Sequence, residues 1–332
     1  MIVDSYGRGV SYLRISVTDR CNLNCFYCRD SRCIKFIPHE NILRYEEMLR
    51  IVSAAKSIGI TKVRLTGGEP FARKGILSFI EMIRYDHPEM DMRVTTNGTL
   101  LPGKLDAARR KGLKHLNISL DTLDRKKYEK ITGRDLFPRV METIHEALDL
   151  GFRVKINAVA LKGINDDELP AFVQMAEDYP LDVRFIEFMP VGGKTMWNQD
   201  FHWPSKDILA EAEELTRLEP ATPKNKTSGP AQLFSLPQGK GRLGVISPLS
   251  NHFCNECNRL RVTPDGRLRT CLFSDKEYRL RGLLRSQKIS QARFTQVLEL
   301  AGKNKPMGYK LLREHQEKQE SVCQKIMSAI GG

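Results

Sequence analysis

Six short β-rich runs, separated by amphipathic stretches, fill the first 190 residues of this 332-residue chain. That alternation constrains the fold more than any other feature. The runs are Tyr12–Val17, Lys62–Thr66, Met92–Thr96, His115–Leu120, Arg153–Ala158 and Val183–Phe188. Between them, Tyr45–Ser57, Ile76–Tyr85, Leu105–Lys111, Pro138–Leu150 and Asp167–Asp178 repeat apolar residues at helical spacing, so each should bury one stripe. Gly59, Gly112 and Gly151 each follow a helical run, where a left-handed residue closes the last turn. A repeated strand–helix unit builds a parallel sheet with right-handed crossovers. The expected fold is therefore α/β, either an open barrel or a doubly wound sheet. In both, chemistry gathers at the carboxyl ends of the strands.

The polar residues collect at those ends. Thr66-Gly67-Gly68-Glu69-Pro70 follows the second run and Thr95-Thr96-Asn97-Gly98 the third. Ser119-Leu120-Asp121 ends the fourth, Lys155 and Asn157 lie on the fifth, and Glu187-Phe188-Met189-Pro190 ends the sixth. Each could be plain turn or capping chemistry. With the cysteine loop that follows the first run, six around one rim read instead as a continuous site, with the paired glycines letting a ligand approach the backbone.

The first strand leads into Cys21-Asn-Leu-Asn-Cys25-Phe-Tyr-Cys28. This spacing puts three thiols on one loop with no evident fourth ligand. Structural zinc normally takes four protein ligands, whereas an iron–sulfur cube on three cysteines keeps one iron open. The spacing favours iron; zinc completed by Cys33 or a distant residue is the alternative. The chain has eight cysteines and no basic–apolar leader at its start, so a reducing, cytoplasmic setting and metal chemistry are expected rather than disulfides. No apolar run approaches the roughly 20 residues of a membrane span. A net charge of +13 calls for an anionic partner.

After residue 190 the pattern changes, which divides the chain into domains 1–190 and 191–332. The second part holds another triad, Cys254-Asn-Glu-Cys257 and Cys271. Arg259–Thr263, the turn Pro264-Asp265-Gly266 and Arg267–Cys271 read as a hairpin returning Cys271 to the pair. Zinc with His252 as fourth ligand and a second open iron–sulfur cluster both fit this spacing. Cys33 and Cys323 are left as ordinary thiols, and His252 as a loop residue. Arg259 and Arg261 share one strand face, and Arg14, Arg64 and Lys155 lie on strands of the first half. Turned inward, these cations would suit a small polyphosphate held between the two triads.

CxxxCxxC after the first strand and GGEP after the second resemble the radical S-adenosylmethionine family. The resemblance implies an incomplete six-fold (βα) barrel closed by a C-terminal iron–sulfur domain. It also implies that Cys21, Cys25 and Cys28 hold a [4Fe-4S] cluster whose open iron binds S-adenosylmethionine, yielding a 5′-deoxyadenosyl radical. Tyr27, Gly68, Glu69, Ser119 and Met189 would contact that cofactor.

Further motifs extend the likeness along nearly the whole chain to the branch of the family that cyclises GTP for molybdenum cofactor synthesis. They are LRISVTDRC at 13–21, RLTGGEP at 64–70, TTNG at 95–98, NISLD at 117–121, KGIND at 162–166, RFIEFMP at 184–190 and FCNECNRLR at 253–261. The branch implies a lyase with a second [4Fe-4S] cluster on Cys254, Cys257 and Cys271, facing the guanine. Arg14, Arg64, Thr95, Lys155, Arg259 and Arg261 would bind GTP. The radical would take the ribose 3′ hydrogen, the ribose carbon would attack C8, and one electron and one proton would complete 3′,8-cyclo-7,8-dihydro-GTP. Arg14 would assist the last step, and Gly331 and Gly332 would reach into the site. A homodimer, a flavodoxin or ferredoxin reductant and a downstream cyclic pyranopterin monophosphate synthase follow from the same resemblance, with no nucleic-acid or membrane partner. Arg29-Asp30 depart from the Met-Pro that many relatives carry after the third cysteine, and Asn258 stands where other small polar residues occur. A peptide-modifying radical enzyme would need neither the CNRLR arginines nor the terminal glycines. A zinc-knuckle nucleic-acid binder should interleave aromatics with its cations, and at 8% aromatic residues no such stripe occurs.

Overall fold

In the computed structural model, which describes residues 2–28, 36–192, 198–221, 229–317, 323, 325 and 327–330, the six expected strands are neighbours in one parallel sheet. They are β3 (Tyr12–Ser16), β4 (Lys62–Thr66), β5 (Asp91–Thr96), β6 (His115–Ser119), β7 (Arg153–Ala160) and β8 (Asp182–Glu187). A short antiparallel pair, β1 (Ile2–Val3) and β2 (Gly9–Val10), precedes them. The expected helices form as α1 (Tyr45–Ser57), α2 (Ile76–Asp86), α3 (Leu105–Arg110), α5 (Phe137–Asp149) and α6 (Leu169–Asp178).

A further helix, α4 (Arg125–Thr132), was not legible in the periodicity, because it has two turns and only Tyr128, Ile131 and Thr132 buried. Its start is marked by Asp124, whose carboxylate accepts from the Lys127 amide at 2.8 Å, as an N-cap does.

Strand order settles the architecture. The sheet runs β3-β4-β5-β6-β7-β8 without reversal. With right-handed crossovers, an unreversed order puts the helices on one face, whereas a doubly wound sheet reverses at a switch point. The core agrees: Leu13, Ile15, Val63, Leu65, Val94, Leu116 and Ile118 are buried with Met48, Ile51 and Val52 of α1 and Phe79, Ile80 and Ile83 of α2. The fold is an incomplete barrel.

The rest of the chain extends both edges. After α7 (Ser205–Leu215), β9 (Glu219–Pro220) and β10 (Gln232–Ser235) pair antiparallel, and β11 (Arg242–Ile246) runs parallel beside β8. At the other edge β12 (Arg259–Val262) runs parallel beside β3, followed by antiparallel β13 (Arg267–Arg269) and β14 (Glu277–Arg279). The expected hairpin is β12–β13. Four helices finish the described chain: α8 (Arg281–Arg285), α9 (Gln291–Lys303), α10 (Gly308–Glu317) and α11 (Met327–Ile330). Strands from both sides of residue 190 thus share one sheet, and among the described residues its end strands β14 and β9 do not pair with each other. Among the described residues, no helix is long and apolar enough to cross a membrane.

Candidate active site

Backbone hydrogen bonds hold the first cysteine loop to the next rim turn. Gly68 N–H donates to the Thr18 carbonyl at 2.7 Å and Glu69 N–H to the Arg20 carbonyl at 2.8 Å. A Cβ on Gly68 would sit 2.1 Å from the Arg20 oxygen, and one on Gly67 2.4 Å from the Thr18 oxygen, with Gly67 at φ +146°. The sequence reading gave these glycines to a ligand. In the structure, the chain's own cysteine loop fills the space.

Glu69 is fully buried and ties the same corner together. Its carboxylate accepts from the Phe71 amide at 3.0 Å, Thr96 Oγ1 at 2.8 Å and the Asn97 amide at 2.7 Å. Burial pushes its pKa up to about 7 against these donors. Asn97 in turn donates to Asn22 Oδ1 at 3.0 Å and to Cys21 Sγ at 3.6 Å. Glu187, at the end of β8, plays a comparable part: it accepts from Ser205 N and Oγ and from the amides of Leu249 and Ser250.

Tyr27, the expected aromatic wall, meets Phe188 edge-on at 6.3 Å and donates its hydroxyl to Asp121 at 2.5 Å. Asp121 also accepts from the Val159 amide at 2.8 Å, and burial pushes its carboxyl up to about 6. Burial, then the Asp121 charge, pushes the Tyr27 phenol well up, so the proton between them stays on the tyrosine. Ser119 and Met189 lie half-buried at the ends of β6 and β8. The rim therefore brings Cys21, Cys25, Cys28, Tyr27, Gly68, Ser119 and Met189 to one end of the sheet, whereas Glu69 spends its oxygens on the protein itself.

Below the rim, strand register lines up the cations. Arg261, Arg14, Arg64 and Arg93 are successive cross-strand partners on β12, β3, β4 and β5. One level down, Arg259, Tyr12, Lys62 and Asp91 do the same. Partners in register point to the same face, and helices cover the other face. Arg93 is neutralised by Asp91, Nη2 to Oδ2 at 2.7 Å. Arg64 has neutral partners: it donates to the Tyr12 hydroxyl and, at 2.9 Å, to Thr95 Oγ1. Burial and repulsion from Arg261 hold Arg14 well below its ordinary range, and burial with repulsion from Arg259 pushes Arg261 down to about 10. Burial would raise Tyr12, but Arg64 and Arg14 outweigh it and bring its phenol down to about 8.

Lys155, expected among the GTP-binding residues, is ion-paired in the structure. It shares one carboxylate, Asp182, with two arginines: Lys155 Nζ at 2.5 Å, Arg184 Nη2 at 2.7 Å and Arg242 Nη2 at 2.8 Å. Despite its burial, Asp182 is pulled down to about 2 by the three cations. Lys155 is itself lowered to about 8, by burial and then Arg184, since a third of an anion cannot offset both. Asn117 Oδ1, Asn157 Oδ1 and Arg184 Nε are buried without a hydrogen-bond partner. The two amide oxygens call for a hydrogen-bond donor and Arg184 Nε for an acceptor, which fits a polar ligand that carries both groups beside the cation row.

The second triad closes beneath β12. Cys257 is pulled down to about 6, burial being outweighed by Arg259 and Lys305. Cys25 of the first triad is pushed well up, by burial, the Asp121 carboxylate and its two companion thiols. Buried thiolates that repel one another fit a cationic metal group. Among the described residues, no three His, Cys, Asp or Glu side chains form the tight group that one ion needs; a shared zinc would draw thiolates to about 4 Å apart. His252 is exposed, bonded through Nδ1 to the Pro248 carbonyl at 2.8 Å and stacked on Tyr309. Cys323 is buried against Arg269 Nη2 at 3.1 Å. Cys33, Arg29, Asp30, Gly331 and Gly332 lie outside the described residues. Sequence reasoning missed Tyr12, Asp182 and Lys305; the alternation of β3 and β8 could have placed the first two inward.

Residues 15–176 match the Radical SAM superfamily and residues 181–311 match Molybdenum Cofactor Synthesis C. The GTP 3′,8-cyclase of Alkaliphilus oremlandii is 41% identical over 330 residues, 99% of each chain. That of Petrotoga mobilis is 41% identical over 332 residues, covering both chains fully. That of Thermodesulfovibrio yellowstonii is 47% identical over 287 residues, 85% of this chain and 88% of the other. Among solved structures, Streptococcus suis SuiB bound to S-adenosylmethionine superposes with a TM-score of 0.61 at 14% identity, covering 91% of this chain and 65% of SuiB. That likeness extends to the fold.

Proposed function

This chain belongs to the GTP 3′,8-cyclase family of radical S-adenosylmethionine enzymes, and on that basis we propose that GTP is held along the arginine row of β12, β3 and β4, between two thiol-held clusters. It is a lyase that converts GTP to (8S)-3′,8-cyclo-7,8-dihydroguanosine 5′-triphosphate for molybdenum cofactor synthesis, using S-adenosylmethionine and an iron–sulfur cluster. Peptide modification and zinc-dependent nucleic-acid binding drop out as alternatives. The observation that carries the binding mode is the register of Arg261, Arg14 and Arg64 on adjacent strands. The guanidiniums repel one another in register, and a nucleoside triphosphate, whose phosphates and guanine edge both accept forked hydrogen bonds, offsets that repulsion.

Cys21, Cys25 and Cys28 would hold the cofactor-binding cluster and Cys254, Cys257 and Cys271 the second. Bound there with S-adenosylmethionine, the first supplies the radical that removes the ribose hydrogen. The chain's residues do the rest by position. Tyr27 walls the cofactor while Asp121 fixes its ring, and Gly68, Ser119 and Met189 line the same end. Glu69 joins them by shaping the Gly68 turn. Arg64 and Thr95 act as one unit through their hydrogen bond, and Lys155 reaches the phosphates from its Asp182 cluster. Arg259 and Arg261 lie next to the second triad, so they orient the nucleoside end. Arg14, at the centre of the row, attends the closing proton transfer, and Gly331 and Gly332 take part in the radical step.

Two domains, 1–190 and 191–332, a homodimer, a flavodoxin or ferredoxin donor, cytoplasmic residence and hand-over to cyclic pyranopterin monophosphate synthase complete the proposal. The test is anaerobic incubation with GTP, S-adenosylmethionine and dithionite. 5′-Deoxyadenosine should form only when GTP is present, together with a product isomeric with GTP. Deoxyadenosine independent of GTP, or none, overturns the reading. The reconstituted protein should hold about eight irons, four per cluster.

A further inference from the structure

Each cysteine of the second triad meets a different part of one short segment, residues 305–309. The Lys305 side chain is buried, donating to the Thr270 carbonyl at 2.6 Å and to the Cys257 sulfur. Gly308 lies against Cys271, where a Cβ would come 2.9 Å from Cys271 Sγ and 3.5 Å from Cys254 Sγ. The Tyr309 amide donates to the Cys254 sulfur. Arg8 fixes this segment to the cysteine loop: Nη1 donates to the Cys254 carbonyl at 2.8 Å, and Nη2 to the carbonyls of Lys305 at 2.9 Å and Pro306 at 3.0 Å. Arg8 is itself paired with buried Asp4 at 2.6 Å.

A buried ammonium is unfavourable unless an anion meets it. Thr270 offers Lys305 a dipole, and Cys257 offers the charge. We propose that Lys305 is a positioning residue of the second cluster: its fixed charge holds the Cys257 thiolate and favours the cluster's more reduced, more negative state. Gly308 and Tyr309 complete the seat by leaving room for Cys271 and bonding Cys254. This inference rests on the two-cluster reading. The first triad differs, since the charges acting on Cys25 are the Asp121 carboxylate and thiols.

The test uses the full chain with Cys21, Cys25 and Cys28 changed to alanine, so that the iron belongs to the second triad. The parent should bind about four irons. Lys305→Gln keeps a hydrogen-bond donor for Thr270 without the charge, Lys305→Met removes both, and Lys305→Arg keeps the charge. EPR-monitored titration should give Lys305→Gln and Lys305→Met more negative midpoints than the parent, with Lys305→Arg near the parent. Iron should leave Lys305→Met to a chelator about tenfold faster, near the loss expected for one charged hydrogen bond. A Lys305→Gln protein with native circular dichroism, full iron and the parent's midpoint overturns the inference. If Lys305→Met does not fold, Lys305→Gln decides alone. A parent chain that binds no iron overturns the two-cluster reading, and this inference with it.

Discussion

The Tyr12 hydroxyl accepts a hydrogen bond from Arg64 Nε in the middle of the cation row, and the same guanidinium reaches Thr95 Oγ1 at 2.9 Å. A phenol so placed titrates near pH 8. Below that pH it is neutral and the row keeps its full positive charge; above it, a phenolate cancels one charge beside the proposed phosphate site. The KM for GTP should therefore rise roughly three- to tenfold between pH 7 and pH 9, the scale of one partly screened charge. Tyr12→Phe should lose the phenolate's share of that rise and keep only the smaller part that comes from Lys155, which titrates near the same pH. A mutant with the wild-type profile would show that Tyr12 does not titrate there.

Gly68 predicts a separable defect. An alanine Cβ placed 2.1 Å from the Arg20 carbonyl oxygen cannot be accommodated by a rotamer change, because the obstacle is backbone. The cysteine loop must move, while the strands beneath it need not. Gly68→Ala should keep its helical circular dichroism yet retain less than about half of the iron of the first triad, since misplaced ligands typically weaken a metal site by tenfold or more. Full iron content in the variant would show that the loop absorbs the added Cβ without displacing its cysteines.

How much of this was legible without coordinates depends on what sets each feature. Strand and helix positions follow from local periodicity, so Lys62–Thr66 and Tyr45–Ser57 form as expected. The inward turn of Arg14, Arg64, Arg259 and Arg261 follows from strand alternation once the outer face is known to be apolar. The packing of the GGEP corner was not legible, because its crowding comes from a loop 47 or more residues earlier, with Gly67 packed on Thr18 and Gly68 on Arg20. Lys305 was hidden for the same reason: no local pattern connects it to Cys257. The addition of β11 and β12 to opposite edges of the barrel is likewise a long-range pairing.

Asp182 couples the binding face to stability. Its carboxyl titrates near 2 in the folded chain, against an ordinary 3.8. A depressed folded pKa means a contribution fully present above the unfolded value and lost as pH falls through the folded one, here between about pH 4 and pH 2. The span is worth about 2 kcal/mol. Asp182→Asn should lose it and leave Lys155, Arg184 and Arg242 without their shared anion, for a total cost of about 3 kcal/mol at pH 7. Urea unfolding at pH 7 and pH 3 measures both quantities. Equal stability of mutant and wild type at pH 7 would mean that the three cations find other partners.

Ile330, which precedes the two glycines proposed for the radical step, is the last described residue. Ile330 is fully buried in a small apolar cluster with Val191, Phe273, Leu312 and Cys323, and both Met189 and Cys271 pack against that cluster. Met189 belongs to the proposed cofactor end and Cys271 to the second triad, so the anchor stands between the two. Removing Gly331 and Gly332 leaves Ile330 in place. The truncated chain should keep its unfolding midpoint and its affinity for GTP while losing product by about a hundredfold, the scale of a misplaced reacting group. Ile330→Ala should instead loosen the anchor, costing about 2–4 kcal/mol of local packing and lowering turnover with the glycines still present. Equilibrium binding of GTP, measured beside product formation, separates the cases. A truncated chain that turns over normally would remove Gly331 and Gly332 from the site, and one that loses GTP binding in proportion to turnover would make them binding residues instead.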